Sequence, residues 1–521
     1  MRSLKTIAAL SVIAAGVIQL SGCFNSAGDC ELNPKLGCGP FANTTGSGSS
    51  ASSSSTSSSG TGGSPINCIP SESKDPVDAS CGVFVSASGD DGATGVQDKP
   101  VRSLTQAVTL AMGGARRIYA CAEELVGAVE LPAELTVYGG LDCATMPRSW
   151  QYVGDTSKTT ITANAGAIPL TLASGTGTKL FDLHVVAKPA VTEGGSSIAV
   201  IANHVTAEIT GCQFEAGDGV AGTQGKPYSS AASAGTMGVK GGDACSTNTV
   251  AGGDPVSNVC GTLDSSGGLG GSGTSVSGGN GSSGLPDGSL NFGTGEGASA
   301  CTTGTTGDSG LPGLPGLGAT GLGSITKSGF AGVIGMPGLV GPPGQGGGGG
   351  GGAKGGMALD KCPVVGMTGG AAGGSGGSGG CGGAGGKGGN PGGSSIALLS
   401  LGSSLTFSAV TLTTGAGGKG GDGGAGQDGG FPGGPGSGGA VPMTATKLNP
   451  GCDGGQGGTG GKGGKGGGGI GGQSIAIAFT GAEPPKSGWM AITGAFGTGG
   501  LGGDAAGTGA PGVKANIQAF Q

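Results

Sequence analysis

Between residues 373 and 390 the chain reads GGS GGS GGC GGA GGK GGN, a strict period of three ending at Pro391. Residues 457–465 repeat it as GGT GGK GGK, and the stretch after Gly415 carries its non-glycine residues at Ala416, Lys419, Asp422 and Ala425. Such a period matches neither an α-helix nor a β-strand. It suits a left-handed helix of three residues per turn, which sets the third residue along one edge and leaves two bare edges for close neighbours. These tracts are candidate polyglycine II bundles. The other reading is a flexible glycine linker, since glycine loses more backbone freedom on ordering than any other residue. A related texture, GLPGLPGLG and then GVIGMPGLVGPPGQG, fills much of residues 310–346. Glycine with proline at that spacing is what a collagen triple helix needs. The runs are short and have no trimerisation segment beside them, so an extended single-chain loop is expected over a trimer.

A second repetition is superposed on the first. The unit GGSSIALLSLGSSLTFSAVTLTTGAGG begins at Gly392, and gapless or near-gapless copies begin at Gly194 and Gly471. Ile198, Ala199 and Val200 fall on Ile396, Ala397 and Leu398, while Ile209, Cys212 and Phe214 fall on Phe407, Val410 and Leu412. The third copy keeps Ser474, Ile475, Ala476 and Ile477 and, after a different middle, Met490, Ile492, Thr493 and Gly494. Each copy reads as two short strands and a turn followed by glycines. A unit this small cannot bury its apolar face alone, so copies stack and the glycine tracts are excursions from a common stack.

With 132 glycines among 521 residues, 3% aromatic and 11% charged, the chain has material for one modest core. A net charge of -7 and scattered Lys and Arg leave no basic surface for a phosphate backbone, so nucleic acid is excluded as a partner. Fourteen cysteines without paired CxxC spacing point to disulfides in an oxidising compartment. Candidate disulfide partners are Cys30, Cys38, Cys68, Cys81, Cys121 and Cys143, with Cys30 and Cys38, and Cys68 and Cys81, bracketing local loops.

Arg2 and Lys5 precede a short apolar run over residues 7–18, and Leu20, Ser21, Gly22 and Cys23 follow. This resembles a bacterial lipoprotein signal with its lipobox. The resemblance implies cleavage before Cys23, lipidation of Cys23, a membrane partner through that lipid and, with Phe24 rather than Asp next, an outer-membrane address facing the periplasm or the cell surface. Residues 44–64, almost all Ser, Thr and Gly, then form a tether of about 25 Å root-mean-square reach.

Residues 83–87 read as a strand, SGDDGATG as a turn, and residues 100–112 as an amphipathic helix burying Val101, Leu104, Ala107, Val108 and Ala111. Strands are expected over residues 117–121, 126–131, 135–138, 159–162, 169–172 and 180–186. The runs VFVSASGDDGATGVQDKPVRSLTQAV and ELTVYGGLDCATMPRSW resemble the entry segment and an early turn of pectin lyase-like right-handed parallel β-helix proteins. That resemblance covers residues 81–214 and implies an all-β fold, a single-stranded right-handed parallel β-helix with an N-terminal capping helix and long Gly-rich insertions. The glycine-rich half is similar in texture to the repeats of PE-PGRS proteins and lacks their N-terminal helical module.

Chemistry is sparse. His184 and Asp182 are expected side by side on the outer face of FDLHVV, an arrangement that fits a general base or, more plainly, a solvated face. His204 falls on Gly402 in the second copy and marks a turn. Asp90 and Asp91 are the candidate metal residues, for calcium, with an Asx turn or helix cap as the alternative. No catalytic residue is assigned, no cofactor other than calcium is expected, and HExxH, GxSxG and P-loop motifs are absent. The resulting organisation is a signal peptide (1–22), a lipidated cysteine, small Cys loop and tether (23–80), a cap and first coils (81–219), a Gly-rich insertion (220–391) and further coils (392–521). The expected function is a lipid-anchored envelope protein of structural or adhesive role, with polysaccharide or other matrix components as partners. The alternative is a polysaccharide-active lyase or glycoside hydrolase on the same scaffold.

Overall fold

The computed structural model describes residues 68–521 apart from residues 74, 287–288, 358–360 and 363–366. The expected signal peptide, Cys23, Cys30, Cys38 and the tether lie outside the described residues. What is described is almost entirely β-structure in parallel sheets, with one α-helix.

The chain enters through β1 (Val83–Val85) and α1 (Leu104–Met112). Then come β2 (Arg117–Cys121), β3 (Glu124–Val126), β4 (Val129–Leu131), β5 (Thr136–Leu141), β6 (Thr159–Thr162) and β7 (Leu170–Leu172). They are followed by β8 (Gly175–Phe181), β9 (Leu183–Ala187), β10 (Ser197–Asn203), β11 (Val205–Thr210) and β12 (Gln213–Ala216). The glycine-rich segment holds β13 (Thr249–Val250), β14 (Val259–Cys260), β15 (Leu263–Asp264), β16 (Gly273–Thr274), β17 (Ser324–Thr326) and β18 (Gly329–Ala331), which pair as antiparallel ribbons. Last are β19 (Ser395–Leu401), β20 (Ser404–Ser408), β21 (Val410–Thr414), β22 (Ser474–Thr480), β23 (Trp489–Ile492) and β24 (Lys514–Ala519).

Three six-stranded sheets result. Sheet 1 runs β1-β2-β5-β8-β11-β20, sheet 2 β3-β6-β9-β12-β21-β23, and sheet 3 β4-β7-β10-β19-β22-β24. From β2 to β22, setting aside the ribbons β13–β18, the chain visits sheets 1, 2 and 3 in rotation. One shared cluster of buried side chains takes its members from all three, among them Ile118, Val137, Leu180 and Ile209 of sheet 1, Leu183 and Phe214 of sheet 2, and Val200, Leu398 and Ile477 of sheet 3. Sheet 3 is also covered on its other face, where Ile198, Ile201, Ile396, Leu399 and Ile475 meet Ile325 of β17 and Phe520. Burial on both faces is why its strands read SIAVIAN, SIALLSL and SIAIAFT without alternation.

Single residues in the left-handed region turn the corners, and they correct the expected strand list. Asp182 (φ 52°) separates β8 from β9, and Gly127 (φ 144°) lies between β3 and β4, so residues 180–186 and 126–131 are each two strands in different sheets. The first two repeat copies accordingly have three strands rather than two, with His204 (φ 50°) and Gly402 (φ 55°) at one corner. The third copy lacks its sheet 1 strand, because Pro484 and Pro485 stand in GAEPPKSG where β20 stands in the second copy. Proline has no amide hydrogen for a ladder. The helix starts at Leu104 rather than residue 100. Val101 is still bonded as a strand, its amide donating to the Phe84 carbonyl, and the Ser103 hydroxyl caps the helix by accepting from the Gln106 amide at 3.1 Å.

All the long glycine excursions leave and return at one corner, between sheets 2 and 3: residues 217–394 join β12 to β19, 415–473 join β21 to β22, and 493–513 join β23 to β24. Outgoing and incoming chains alternate there. The amides of Gly393, Gly418, Gly472, Gly497 and Gly512 donate in turn to the carbonyls of Val220, Gly393, Gly418, Gly472 and Gly497 at 2.8–2.9 Å. Stacked rungs thus deliver successive glycine runs side by side.

The runs continue as an ordered bundle. Residues 371–390 lie at its centre: Gly377, Gly380, Gly383, Gly386 and Gly389 donate to Gly455, Gly458, Gly461, Gly464 and Gly467 at 2.8–3.0 Å, and accept from Gly347, Gly344, Gly341, Gly338 and Gly335 at 2.8–3.0 Å. Ser375, Ser378 and Cys381 donate to Val239, Thr236 and Ser233 and accept from Gly436, Gly433 and Gly430, while Gly376 and Gly379 donate to Gly268 and Ser265. Every bond recurs at the third residue. The collagen-like runs belong to the same array, with Gly310, Gly313 and Gly316 donating to Thr459, Lys462 and Lys465 of the same chain. Glycine is obligatory where a Cβ at Gly376 would lie 1.8 Å from the Gly347 carbonyl oxygen.

Candidate functional site

The residues singled out for chemistry are engaged in holding turns. Asp91 faces the entry to α1, its Oδ1 accepting from the amides of Arg102 at 2.9 Å and Ser103 at 2.7 Å. Burial pushes its pKa up, but the bonds from Ser103 and Arg102 outweigh that and hold it below the ordinary value. Asp90 closes a local turn by accepting from the Gly92 amide at 3.1 Å. Among the described residues no group of three or more His, Cys, Asp or Glu side chains is placed to hold a metal ion.

Asp182 and His184 do not form the outward pair expected from FDLHVV. The corner at Asp182 turns its carboxylate to the side, where it is buried and accepts from the Tyr152 hydroxyl at 2.9 Å and Lys158 Nζ at 3.2 Å. Burial, with Asp182 adding to it, raises the Tyr152 phenol well above its usual range. A Cβ on Gly211, at the same corner one rung on, would lie 2.5 Å from Asp182 Oδ1. The cluster therefore ties the loop over residues 142–158 to the corner column. His184 stands on the outer face of sheet 2 beside Glu215, Nε2 to Oε2 at 3.2 Å. In register with it are Glu124, Thr160, Gln213, Thr411 and Met490, a mixed row with no carboxylate ladder. His204 occupies its corner with Nδ1 2.9 Å from Asn203 Oδ1.

Sequence reasoning missed two features. Outside sheet 1, Phe84, Tyr119, Tyr138 and Phe181 stack one per rung with ring centroids 4.9–5.3 Å apart, and Trp150 meets Phe84 edge-on. This second buried layer is clamped by the disulfides Cys68–Cys81 and Cys121–Cys143. The signal was legible, an aromatic next to an aliphatic in VFV, RIY and TVY, but it took the parallel register to stack the rings. Three further disulfides join distant points of the glycine bundle: Cys245–Cys362, Cys260–Cys381 and Cys301–Cys452. Among the described residues the one free thiol is Cys212, fully buried and pushed up to about 12 by that burial.

The bundle surface is where unlike side chains are displayed at regular spacing. Leu311, Leu314 and Leu317 lie on one run and Met336 and Leu339 on its antiparallel neighbour, all more than half exposed. Prolines mark where neighbours stop. Gly346, Gly349 and Gly352 donate to Leu285, Ser282 and Gly279, and at the same phase beyond the end of that neighbouring run stand Pro337 and Pro343, which have no amide to leave unpaired. No protein-family model, curated protein or solved structure matches this chain.

Proposed function

We propose that this chain is a lipid-anchored protein of the bacterial outer membrane with a structural or adhesive role, in which a right-handed parallel β-helix carries a polyglycine II bundle as its display surface. The cyclic passage through three parallel sheets supports the β-helix. The three-residue recurrence of hydrogen bonds among runs with no left-handed glycine between residues 371 and 390 supports polyglycine II. The observation that carries the functional reading is the bundle's exposed apolar lattice at Leu311, Leu314, Leu317, Met336 and Leu339. A contiguous apolar patch of this kind marks an interaction surface, and its rigid repeat suits an extended polymer or matrix better than a single small ligand.

Two measurements test the reading. Cys23→Ser moves the protein from the membrane to the soluble fraction, and retention in the membrane would overturn the lipid anchor. The triple variant L311K/L314K/L317K keeps the melting temperature of the parent but lowers attachment of the purified protein to isolated envelope polysaccharide. Unchanged attachment removes the adhesive role from that face.

A further inference from the structure

One position in the bundle is half filled. Around the central run, residues 265–273 occupy a lane between two others. The amides of Gly373, Gly376 and Gly379 donate into it, to Gly271, Gly268 and Ser265, and Gly268 and Gly271 donate out of it to the carbonyls of Gly347 and Gly350. At Asp264 the chain leaves this lane for the ribbon β14–β15, which Cys260 fastens to Cys381. The walls continue without it. Gly382 and Gly385 stand at the next two places of the donor series and Gly344, Gly341 and Gly338 at the next places of the acceptor series. None of these amides and carbonyls has a hydrogen-bond partner among the described residues. Beside the ribbon the vacancy opens as a groove of about 480 Å³ lined by Ser233, Leu263, Val340, Pro343, Cys381 and Gly382. From a neighbouring hollow Tyr228 reaches the central run, its hydroxyl donating to the Gly385 carbonyl at 3.0 Å.

We infer that this groove binds an extended strand of another polypeptide with glycine at every third residue, seated as a continuation of the lane. The spacing selects the conformation: donors three residues apart on an extended three-fold run recur about every 9 Å, which matches a three-residue helix rising about 3.1 Å per residue and not a β-strand. Sterics select the sequence. In the filled part of the lane a Cβ at Gly267, Gly270 or Gly273 would lie 2.0 Å from the carbonyl oxygens of Gly376, Gly373 and Gly370, so an incoming chain must present glycine at that phase. One phase of each triplet is free to vary, as Ser266, Leu269 and Ser272 show in the lane itself. The remaining phase is glycine at Gly268 and Gly271, where a Cβ would lie 1.9 and 2.1 Å from the carbonyl oxygens of Ser282 and Gly279, and opens to a side chain only at Ser265. Recognition is through main-chain hydrogen bonds, as when an edge strand accepts a peptide. Among the described residues the glycine runs of the bundle are already bonded to one another, and the occupant assigned to the groove is a strand of a different protein.

The test uses the mature protein with a fluorescent Gly-Gly-Ser repeat peptide. Expected are saturable binding, slowed hydrogen exchange at the amides of Gly382 and Gly385, and no binding of an Ala-Ala-Ser repeat. Val340→Trp, at an exposed wall position, weakens binding about tenfold or more, equivalent to ~1.4 kcal/mol, without lowering the melting temperature. Equal binding of the alanine repeat, unchanged exchange at Gly382 and Gly385, or concentration-dependent self-association that the peptide does not displace would each overturn the proposal.

Discussion

At the scale of single residues, the bundle turns on atoms that are missing. Gly376→Ala forces a methyl into the Gly347 carbonyl, which is backbone and cannot swing away, so a loss of about 1–3 kcal/mol is expected in thermal unfolding. Gly297→Ala, where nothing lies within 4 Å and φ is not left-handed, is expected to be neutral or slightly stabilising. Cys212 makes the complementary case. Its thiol is fully buried and pushed up to about 12, so alkylation at pH 8 leaves it unmodified in the native protein and labels it after denaturation, as peptide mass spectrometry reads directly. Labelling of the native protein would mean that the β12 rung opens. These features differ in how much the sequence disclosed. The period of three was plain, but which amide meets which carbonyl depends on runs more than a hundred residues away, such as Ser375 and Ser378 against Val239 and Thr236, and Gly376 and Gly379 against Gly268 and Ser265.

At the scale of elements, the outcome depends on where a segment leaves its rung. Because the long excursions depart from the same corner, they meet as neighbours, and entropy lost in ordering glycine is shared out over bonds to several runs at once. Deleting residues 373–390 is therefore expected to keep the β-sheet circular dichroism of the three sheets. It should also expose the runs at 335–353, 418–439 and 451–472 to proteolysis, since each loses its central partner. Persistence of protease resistance would show that the outer runs hold without it. The three long disulfides serve the same end. On the chain-entropy account a loop of about 100 residues contributes ~5 kcal/mol when closed, so reduction is expected to lower the unfolding temperature of the bundle more than that of the sheets.

At the scale of the whole molecule, the carboxylates act as ties and set the acid limit. Asp422 is held below its ordinary value first by the Leu501 amide and then by Lys419, and Asp243 first by Lys240 and then by the Ala440 amide. A carboxylate depressed on folding contributes stability that is complete above its unfolded value of 3.8 and is lost as pH falls through the folded value. The unfolding temperature is thus expected to be flat from neutral pH down to about 5 and to drop below about 4, with Asp422→Asn reducing the drop. The sequence by itself determined the rung register. Ser395 pairs with Ser197 and with Ser474, and Thr411 with Gln213 and Met490, as the gapless alignment of the repeats requires, because stacked equal units can only bury equal positions together. What only the tertiary structure decided is the fate of the glycines and of the polar candidates. Bare backbone carries no side-chain pattern from which to choose a partner, so order in GGX runs followed from the common corner that brings them together. A lone left-handed residue at Asp182 turned an expected outward pair into a buried tie.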